Sequence, residues 1–179
     1  IEAMRAKRVD AMTVGPFAYI LAVQEANAEA LAVGVSTTAK TPAYDPTIIP
    51  YYISVIFAKK GNGVATLNDM RGKGFNFVDP ASTSGHLAPK ALLMKKGFNP
   101  DKDFQTVVAG SHPTSVLSVW NDKSAAGATN ESNLKRFDDS GQIDWCAYPD
   151  GLINKPRTTA EMKTYYDGCP NGSIVALAQ

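Results

Sequence analysis

The sequence predicts an α/β protein with largely parallel sheets. Short apolar segments rich in Val, Ile and Phe alternate with longer segments whose apolar residues recur at helical spacing, from one end of the chain to the other. Turns rich in Gly, Pro and Ser separate the two kinds of segment. Such alternation is typical of units in which each strand is followed by a helix that packs on the sheet.

The first third of the chain is predicted to hold two helices, two short strands and one strong strand. The predicted helices span residues 1–7 and 17–30, and the predicted short strands span 11–14 and 31–35. A polar, proline-containing loop at 36–50 leads to residues 51–60, YYISVIFAKK, whose β-branched and aromatic content indicates a strand.

The rest of the chain alternates in the same way. Thr66, followed three residues later by Asp69, predicts a helix start that resembles a capping box, and Gly72 predicts its end. Further helices are predicted at 82–97, 111–120 and 130–137, and further strands at 75–78, 105–110, 125–129 and 173–178. The polar segment 138–168 carries no clear pattern.

Composition excludes several classes of protein. Hydrophobic residues make up 44% of the 179 residues, enough for a sizeable core. The 18 Lys and Arg nearly balance the 17 Asp and Glu, so a nucleic-acid partner is not indicated. No apolar run approaches the roughly 18 residues that span a bilayer, and direct membrane insertion is not expected. Because the chain opens inside a helix without a cap and closes directly after a strand, we expect it to be truncated at both ends.

The most informative stretch is residues 75–93, FNFVDPASTSGHLAPKALL, in which an apolar strand leads through hydroxyl residues and a glycine into a helix. Unpaired backbone N–H groups, the positive end of a helix dipole and hydroxyl donors together suit a tetrahedral oxyanion. Ser82, Thr83 and Ser84 are therefore candidate anion ligands, although helix capping is the commoner explanation of such a pattern. Pro89 lies beyond the first turn and predicts an irregular helix start or a freed carbonyl.

His112 opens a second helix after a strand and repeats this geometry. Two helix N-termini at the carboxyl ends of neighbouring strands would form a cleft where open α/β sheets bind ligands. The plain alternative is a surface histidine in a turn. Tyr51 and Tyr52 begin a strand, from which one ring is expected to face such a cleft and donate its O–H to an anion.

Acidic residues provide candidates for the other end of a ligand. A carboxylate facing a cleft would recognise an ammonium group, whereas it would repel a purely anionic ligand. Glu131 and Asp167 are the main candidates and Asp150 is a third, with solvent exposure as the default explanation for each.

Metal binding and catalysis are not indicated. Cys146 and Cys169 lie in no Cys/His cluster, and they are either a disulfide pair or two separate thiols. Ser84 lacks the GxSxG pattern of a nucleophile elbow, and GNG at 61–63 falls short of a phosphate-binding loop. We therefore expect no enzyme, no cofactor and no metal.

Several segments together resemble one family. FVDPASTSGHLAPKALL, GSHPTSVLSV, GATNESNLKRF and the terminal CPNGSIVALA are similar, in the same order, to segments of the substrate-binding proteins of phosphonate and phosphite ABC transporters, the PhnD-like family. This resemblance implies a type II periplasmic-binding-protein fold, with two α/β lobes around a cleft. It implies lobe 1 at 1–57 plus 171–179 and lobe 2 at 58–170.

The resemblance also implies a function and a ligand set. A periplasmic protein would capture a phosphonate and deliver it to an ABC-transporter permease. The phosphonate oxygens would be held by the Ser82–Ser84 run, His112 and Tyr51 or Tyr52. Members that take 2-aminoethylphosphonate add acids for the amine, at positions that match Glu131 and Asp167. The alternatives are a phosphite or phosphate binder of the same family, an enzyme on the same fold, or a sensor domain.

Overall fold

The computed structural model describes residues 1–34, 51–148 and 158–178, and the chain divides into two compact units at residues 1–52 and 53–179. The first unit contains helices α1 (Glu2–Arg5) and α2 (Pro16–Ala26). Pro16 occupies the first position of α2, where its missing N–H leaves no bond unmade. Asn27 ends α2 in the left-handed conformation, with φ of 50°.

Two strands predicted in the first unit are absent. Residues 11–14 and 31–34 have no regular structure, and the Leu31 and Val33 side chains are largely exposed. A strand exists only through pairing with a neighbour, and short apolar runs alone do not supply one. The predicted loop at 36–50 and the last residue of the predicted strand 31–35 lie outside the described residues.

The second unit is built on one five-stranded sheet in the order β3-β2-β4-β1-β5. Its strands are β1 (Ser54–Lys59), β2 (Gly74–Phe77), β3 (Gln105–Val108), β4 (Ala126–Asn130) and β5 (Ile174–Ala178). β2 pairs in parallel with β3 and β4, whereas β1 is antiparallel to β4 and β5. The α/β class is thus confirmed, but the expectation of a largely parallel sheet is wrong for β1.

Helices cover both faces of this sheet. They are α3 (Ala88–Lys95), α4 (Pro100–Asp103), α5 (His112–Trp120), α6 (Glu131–Asp139) and α7 (Thr159–Gly168), together with a π-helical turn at Thr83–Leu87 and a 3₁₀ turn at Asn68–Met70. The helix predicted to begin at Thr66 is only that single turn. Asp69 nevertheless accepts hydrogen bonds from the backbone and side chain of Thr66, which lower the pKa of its carboxyl.

The core lies in two layers, one on each face of the sheet, because alternate residues of a strand point to opposite sides. On one face Ile56, Phe75 and Phe77 pack with Leu93 of α3. On the other face, Val55 and Phe57 of β1 and Ile174 of β5 pack against Val116 of α5 and Leu134 of α6.

Helix α7 lies within the segment that carried no clear pattern in the sequence. Thr158 and Glu161 form a full capping box at its start, a local signal that could have predicted it. The Tyr165 hydroxyl donates to the Cys146 carbonyl and accepts from the Ala176 N–H, which ties α7 to β5. Cys146 and Cys169 form a disulfide, so the alternative of two separate thiols is excluded.

Lys60 caps the C-terminal end of α7. Its ammonium donates to the carbonyls of Tyr166 at 2.7 Å, Asp167 at 3.0 Å and Cys169, at the helix end where carbonyls lack partners. We expect Lys60→Met to lower the free energy of unfolding by about 1–2 kcal/mol, measured by urea denaturation.

Lys135→Met is the matched control for this change. Lys135 forms an exposed ion pair with Asp139 within α6, and such pairs contribute at most about 0.5 kcal/mol. Equal losses in the two variants would contradict the capping role of Lys60.

The lobe boundaries stay a prediction. The prediction assigns β5 and the first part of β1 to lobe 1 and the other strands to lobe 2, and all five strands belong to one sheet. Within the described residues there is one sheet, and none of the helices is long and apolar enough to cross a membrane.

Candidate anion-binding site

Three helix starts meet at one edge of the sheet in the second unit. The parallel strands β2, β3 and β4 end at this edge, and each is followed, after at most five residues, by a helical segment. The side chains of Ser82, Ser111 and Asn130 cap these segments, each accepting a hydrogen bond from a backbone N–H three residues later. The edge therefore collects three positive dipole ends without a lysine or arginine among its capping residues.

The first of these segments starts irregularly, as Pro89 predicts. Because proline has no N–H, the carbonyls of Gly85 and Ser84 lose the partner that a regular α- or π-helix would provide at residue 89. The Val78 N–H donates to the Gly85 carbonyl at 2.9 Å, and the Ser54 hydroxyl donates to the Ser84 carbonyl at 2.8 Å. The irregular turn is thereby tied to the end of β2 and to the start of β1.

Gly85 makes this turn possible. A Cβ at this position would lie 2.4 Å from Cβ and Cγ2 of Val78 and 2.9 Å from Oγ of Ser82. Val78 is buried and directly follows β2, so it has little room to move. The close approach of the turn to the strand end thus requires glycine.

The structure brings Ser82 and His112 together. Nε2 of His112 lies 3.5 Å from Oγ of Ser82, and Nδ1 lies 3.0 Å from Oγ1 of Thr129 on β4. Burial lowers the pKa of His112, so the imidazole is held in its neutral form near neutral pH. His86, the other histidine, instead packs edge-on against Phe77 on the opposite face of the sheet.

Glu131 begins α6 at the same edge. It is half-buried, its N–H donates to the Ile53 carbonyl at 3.0 Å, and it belongs to no ion pair among the described residues. Burial raises the pKa of its carboxyl. A cationic group beside this carboxylate would offset the cost of burying its charge.

Asp167 does not join this group. It lies at the end of α7, is exposed, forms an ion pair with Lys163, and accepts from Lys60 through its carbonyl. Lys60 follows the last residue of β1, whereas Ser54 at the start of β1 contacts the turn at Ser84. The six residues of β1 separate these two edges by about 17 Å, so Asp167 lies at the edge opposite Ser82 and His112.

The remaining predicted ligands are placed as follows. Thr83 and Ser84 begin the π-helical turn, and Ser84 is buried. Tyr51 and Tyr52 are the last residues of the first unit and are both exposed. Asp150 lies outside the described residues.

Sequence reasoning missed Thr129 and Ser54. Thr129 is fully buried on β4, and its contact with His112 links residues 17 positions apart. Thr129 directly precedes the Asn130 cap, so its position at a strand end was readable, but its partner was not. Among the described residues there is also no group of three or more His, Cys, Asp or Glu that could hold a metal ion.

The sequence model of one family, described as the periplasmic substrate-binding protein of phosphonate ABC transporters, matches residues 1–158. The chain belongs to this family. The resemblance read from the sequence motifs is confirmed, and the phosphonate-binding family comprises transporter binding proteins, not enzymes.

Two curated relatives match most of the chain. It is 31% identical over 141 residues to the phosphonates-binding periplasmic protein of Escherichia coli strain K12, covering 76% of this chain and 39% of that protein. It is 33% identical over 152 residues to the phosphate-import protein PhnD of Mycolicibacterium smegmatis, covering 80% of this chain and 45% of that protein. The chain thus spans less than half the length of these relatives.

A solved structure shares the fold. The crystal structure of a binding protein component of an ABC phosphonate transporter from Pseudomonas aeruginosa aligns with a TM-score of 0.69 at 23% identity. The alignment covers 98% of this chain and 48% of that one. The sheet described above is therefore the fold of part of such a binding protein.

Proposed function

We propose that this chain is part of a periplasmic solute-binding protein that captures a phosphonate and delivers it to the permease of an ABC importer. The observation that carries the proposal is the meeting of three capped helix starts at one sheet edge, with Ser82 and His112 in contact there. Membership of the phosphonate-binding family and the disulfide, which suits an oxidising compartment, support it.

The phosphonate group would be held by hydrogen bonds from uncharged donors. The hydroxyls of Ser82, Thr83 and Ser84, the His112 imidazole and nearby backbone N–H groups all lie at the positive ends of helix dipoles. Tyr51 or Tyr52 would add a hydroxyl. In this proposal residues 1–57 plus 171–179 form part of one lobe and 58–170 the other, and closure of the two lobes excludes water from the ligand.

Glu131 suggests an amine at the other end of the ligand. A half-buried carboxylate without an ion-pair partner among the described residues is suited to an ammonium group, as in 2-aminoethylphosphonate. This finer proposal rests on Glu131 alone, because Asp167 lies at the opposite edge of the sheet.

Phosphate or phosphite is the second candidate. The Mycolicibacterium smegmatis relative is a phosphate-import protein by name. Hydrogen phosphate carries a P–OH that needs an acceptor, and the Glu131 carboxylate would provide one at this edge.

Titration calorimetry with a ligand series tests both proposals. We expect wild-type protein to bind 2-aminoethylphosphonate more tightly than methylphosphonate, phosphite or phosphate. Glu131→Gln is expected to weaken 2-aminoethylphosphonate by at least about tenfold, which corresponds to about 1.4 kcal/mol, because it removes the charge that pairs with the ammonium. The affinity for methylphosphonate should stay unchanged or rise slightly in this variant.

Each ligand in the series has a distinct consequence. Equal affinities for the two phosphonates would contradict recognition of an amine by Glu131. Tightest binding of phosphate, with that binding lost in Glu131→Gln, would favour the second candidate. Absence of binding for all four ligands would overturn the proposed function itself.

A further inference from the structure

The contact between Thr129 and His112 assigns a role to a residue that touches no ligand in the proposed site. Thr129 is fully buried on β4, and its hydroxyl lies 3.0 Å from Nδ1 of His112. On the other side of the ring, Nε2 faces Oγ of Ser82 at 3.5 Å. A neutral imidazole carries a single N–H, so one of these nitrogens donates and the other accepts.

We propose that Thr129 donates its hydroxyl proton to Nδ1 and thereby holds the proton of His112 on Nε2, where it serves as a neutral donor to the oxyanion. In the described part of the chain the Thr129 hydroxyl has no other hydrogen-bond partner. If Nδ1 carried the proton, the Thr129 O–H would be a buried donor without an acceptor. Such a donor costs more than a hydroxyl oxygen that accepts nothing, so the Nε2–H tautomer is favoured.

The donor and acceptor roles of Ser82 follow from those of Thr129 and His112. Oγ of Ser82 already accepts from the Gly85 N–H at 3.0 Å, and Nε2 of His112 lies 3.5 Å from the same oxygen, at the limit of a hydrogen bond, so its N–H stays available to a bound oxyanion. The Ser82 proton is then left to donate outward. Thr129, His112 and Ser82 thus form a chain in which both groups that face the ligand are donors, which suits a fully ionised oxyanion.

No charged neighbour opposes this arrangement. The charged residues on the elements packed against α5 are Glu131 at the start of α6, Lys135, Arg136, Asp138 and Asp139 further along α6, and Lys59 at the far end of β1, whereas His86 lies on the opposite face of the sheet. Burial alone lowers the pKa of His112, and none of these groups contributes to the shift.

The test measures the tautomer first without ligand, so that it stands apart from the proposed function on which its ligand role rests. The chain has two histidines, and a His86→Gln background leaves His112 alone in a long-range ¹H–¹⁵N correlation spectrum of the ring nitrogens. We expect Nε2–H in wild type above the pKa of His112. In Thr129→Val we expect Nδ1 to lose its hydrogen bond, so that its ¹⁵N resonance moves towards that of a nitrogen that accepts nothing, and we expect the wild-type resonance again in Thr129→Ser.

Methylphosphonate affinity is the second readout. Thr129→Val is expected to bind about threefold to tenfold more weakly, while Thr129→Ser stays near wild type. Between pH 7 and 9 the wild-type affinity, corrected for the titration of methylphosphonate, is expected to stay level, because a neutral donor needs no protonation.

Ser115→Ala is the matched control. Ser115 is a buried residue on α5 whose hydroxyl donates to the Ala128 carbonyl and forms no hydrogen bond with His112 in the described part of the chain, so its loss should leave the tautomer and the Nδ1 resonance unchanged. A wild-type Nδ1–H tautomer, or an Nδ1 resonance that is unchanged in Thr129→Val, would overturn the proposal. If the tautomer is Nε2–H but the protein binds no methylphosphonate, the hydrogen bond from Thr129 to His112 stands. Only the proposed phosphonate function is then rejected.

Discussion

Replacing Gly85 with alanine is expected to weaken phosphonate binding more than tenfold and to destabilise the second unit. The new Cβ would lie 2.4 Å from the side chain of Val78, which is buried at the end of β2, and 2.9 Å from the Ser82 oxygen that caps the turn. Overpacking of this kind costs about 1–3 kcal/mol, and relief requires the turn to move away from β2. Since the turn carries Ser82, Thr83 and Ser84, the same movement misplaces the candidate ligands.

Chemical denaturation and titration calorimetry measure the two effects of Gly85→Ala. We expect an affinity loss of more than tenfold, because a displacement that costs about 1.4 kcal/mol of binding already has that effect. Gly168→Ala is the control. Gly168 also lies in a helix, and nothing comes within 4 Å of an added Cβ, so the change should be neutral or slightly stabilising. A Gly85→Ala protein with normal stability and affinity would show that the turn does not need its contact with Val78.

Removing the disulfide is expected to cause the largest loss of stability without a loss of binding. Cys146 and Cys169 are 23 positions apart, and on the chain-entropy estimate a link of that length contributes about 3 kcal/mol by restricting the unfolded chain. Cys169 directly follows α7, at the edge of the sheet away from Ser82 and His112. The double variant Cys146→Ala/Cys169→Ala should therefore unfold at lower denaturant concentration and still bind the preferred ligand.

Reduction of the wild-type protein provides an independent check. A thiol reductant should lower the free energy of unfolding of wild type to that of the double variant and should not affect the variant further. A variant that unfolds like oxidised wild type would mean that the link adds no net stability. A variant that folds but has lost binding would mean that the loop it closes contributes to the site.

The strand-to-helix turns were predictable because their signals are local. Ser82, Ser111 and Asn130 each bond a backbone N–H only three residues away, so the pattern of hydroxyl or amide before a helix is visible in the sequence itself. The irregular helix start at Pro89 was predictable for the same reason, since the missing N–H belongs to the residue. The carbonyl partners, Val78 and Ser54, were not predictable, since one of them is 30 residues away.

The sequence pattern did not predict which apolar segments form strands or in which direction those strands pair. The apolar runs at 11–14 and 31–34 look like strands yet form none, and the antiparallel direction of β1 has no signature in its own residues. The antiparallel direction of β1 is the reason that Asp167 lies at the opposite edge of the sheet. Since β5 begins beside the end of β1, the α7–β5 connection lies at the edge opposite the candidate site.

The sequence by itself determined the α/β class, the family and the positions of the three strand-to-helix turns, because each is carried by motifs of residues close together in the chain. Only the tertiary structure decided which of the candidates lie at the same edge of the sheet. It placed Ser82, His112 and Glu131 at one edge, brought Thr129 into contact with His112, placed Asp167 at the opposite edge and paired Cys146 with Cys169. The physical reason is that strand order and direction arise from the burial of two apolar layers over distant segments, and this burial leaves no local mark on the polar residues that it brings together.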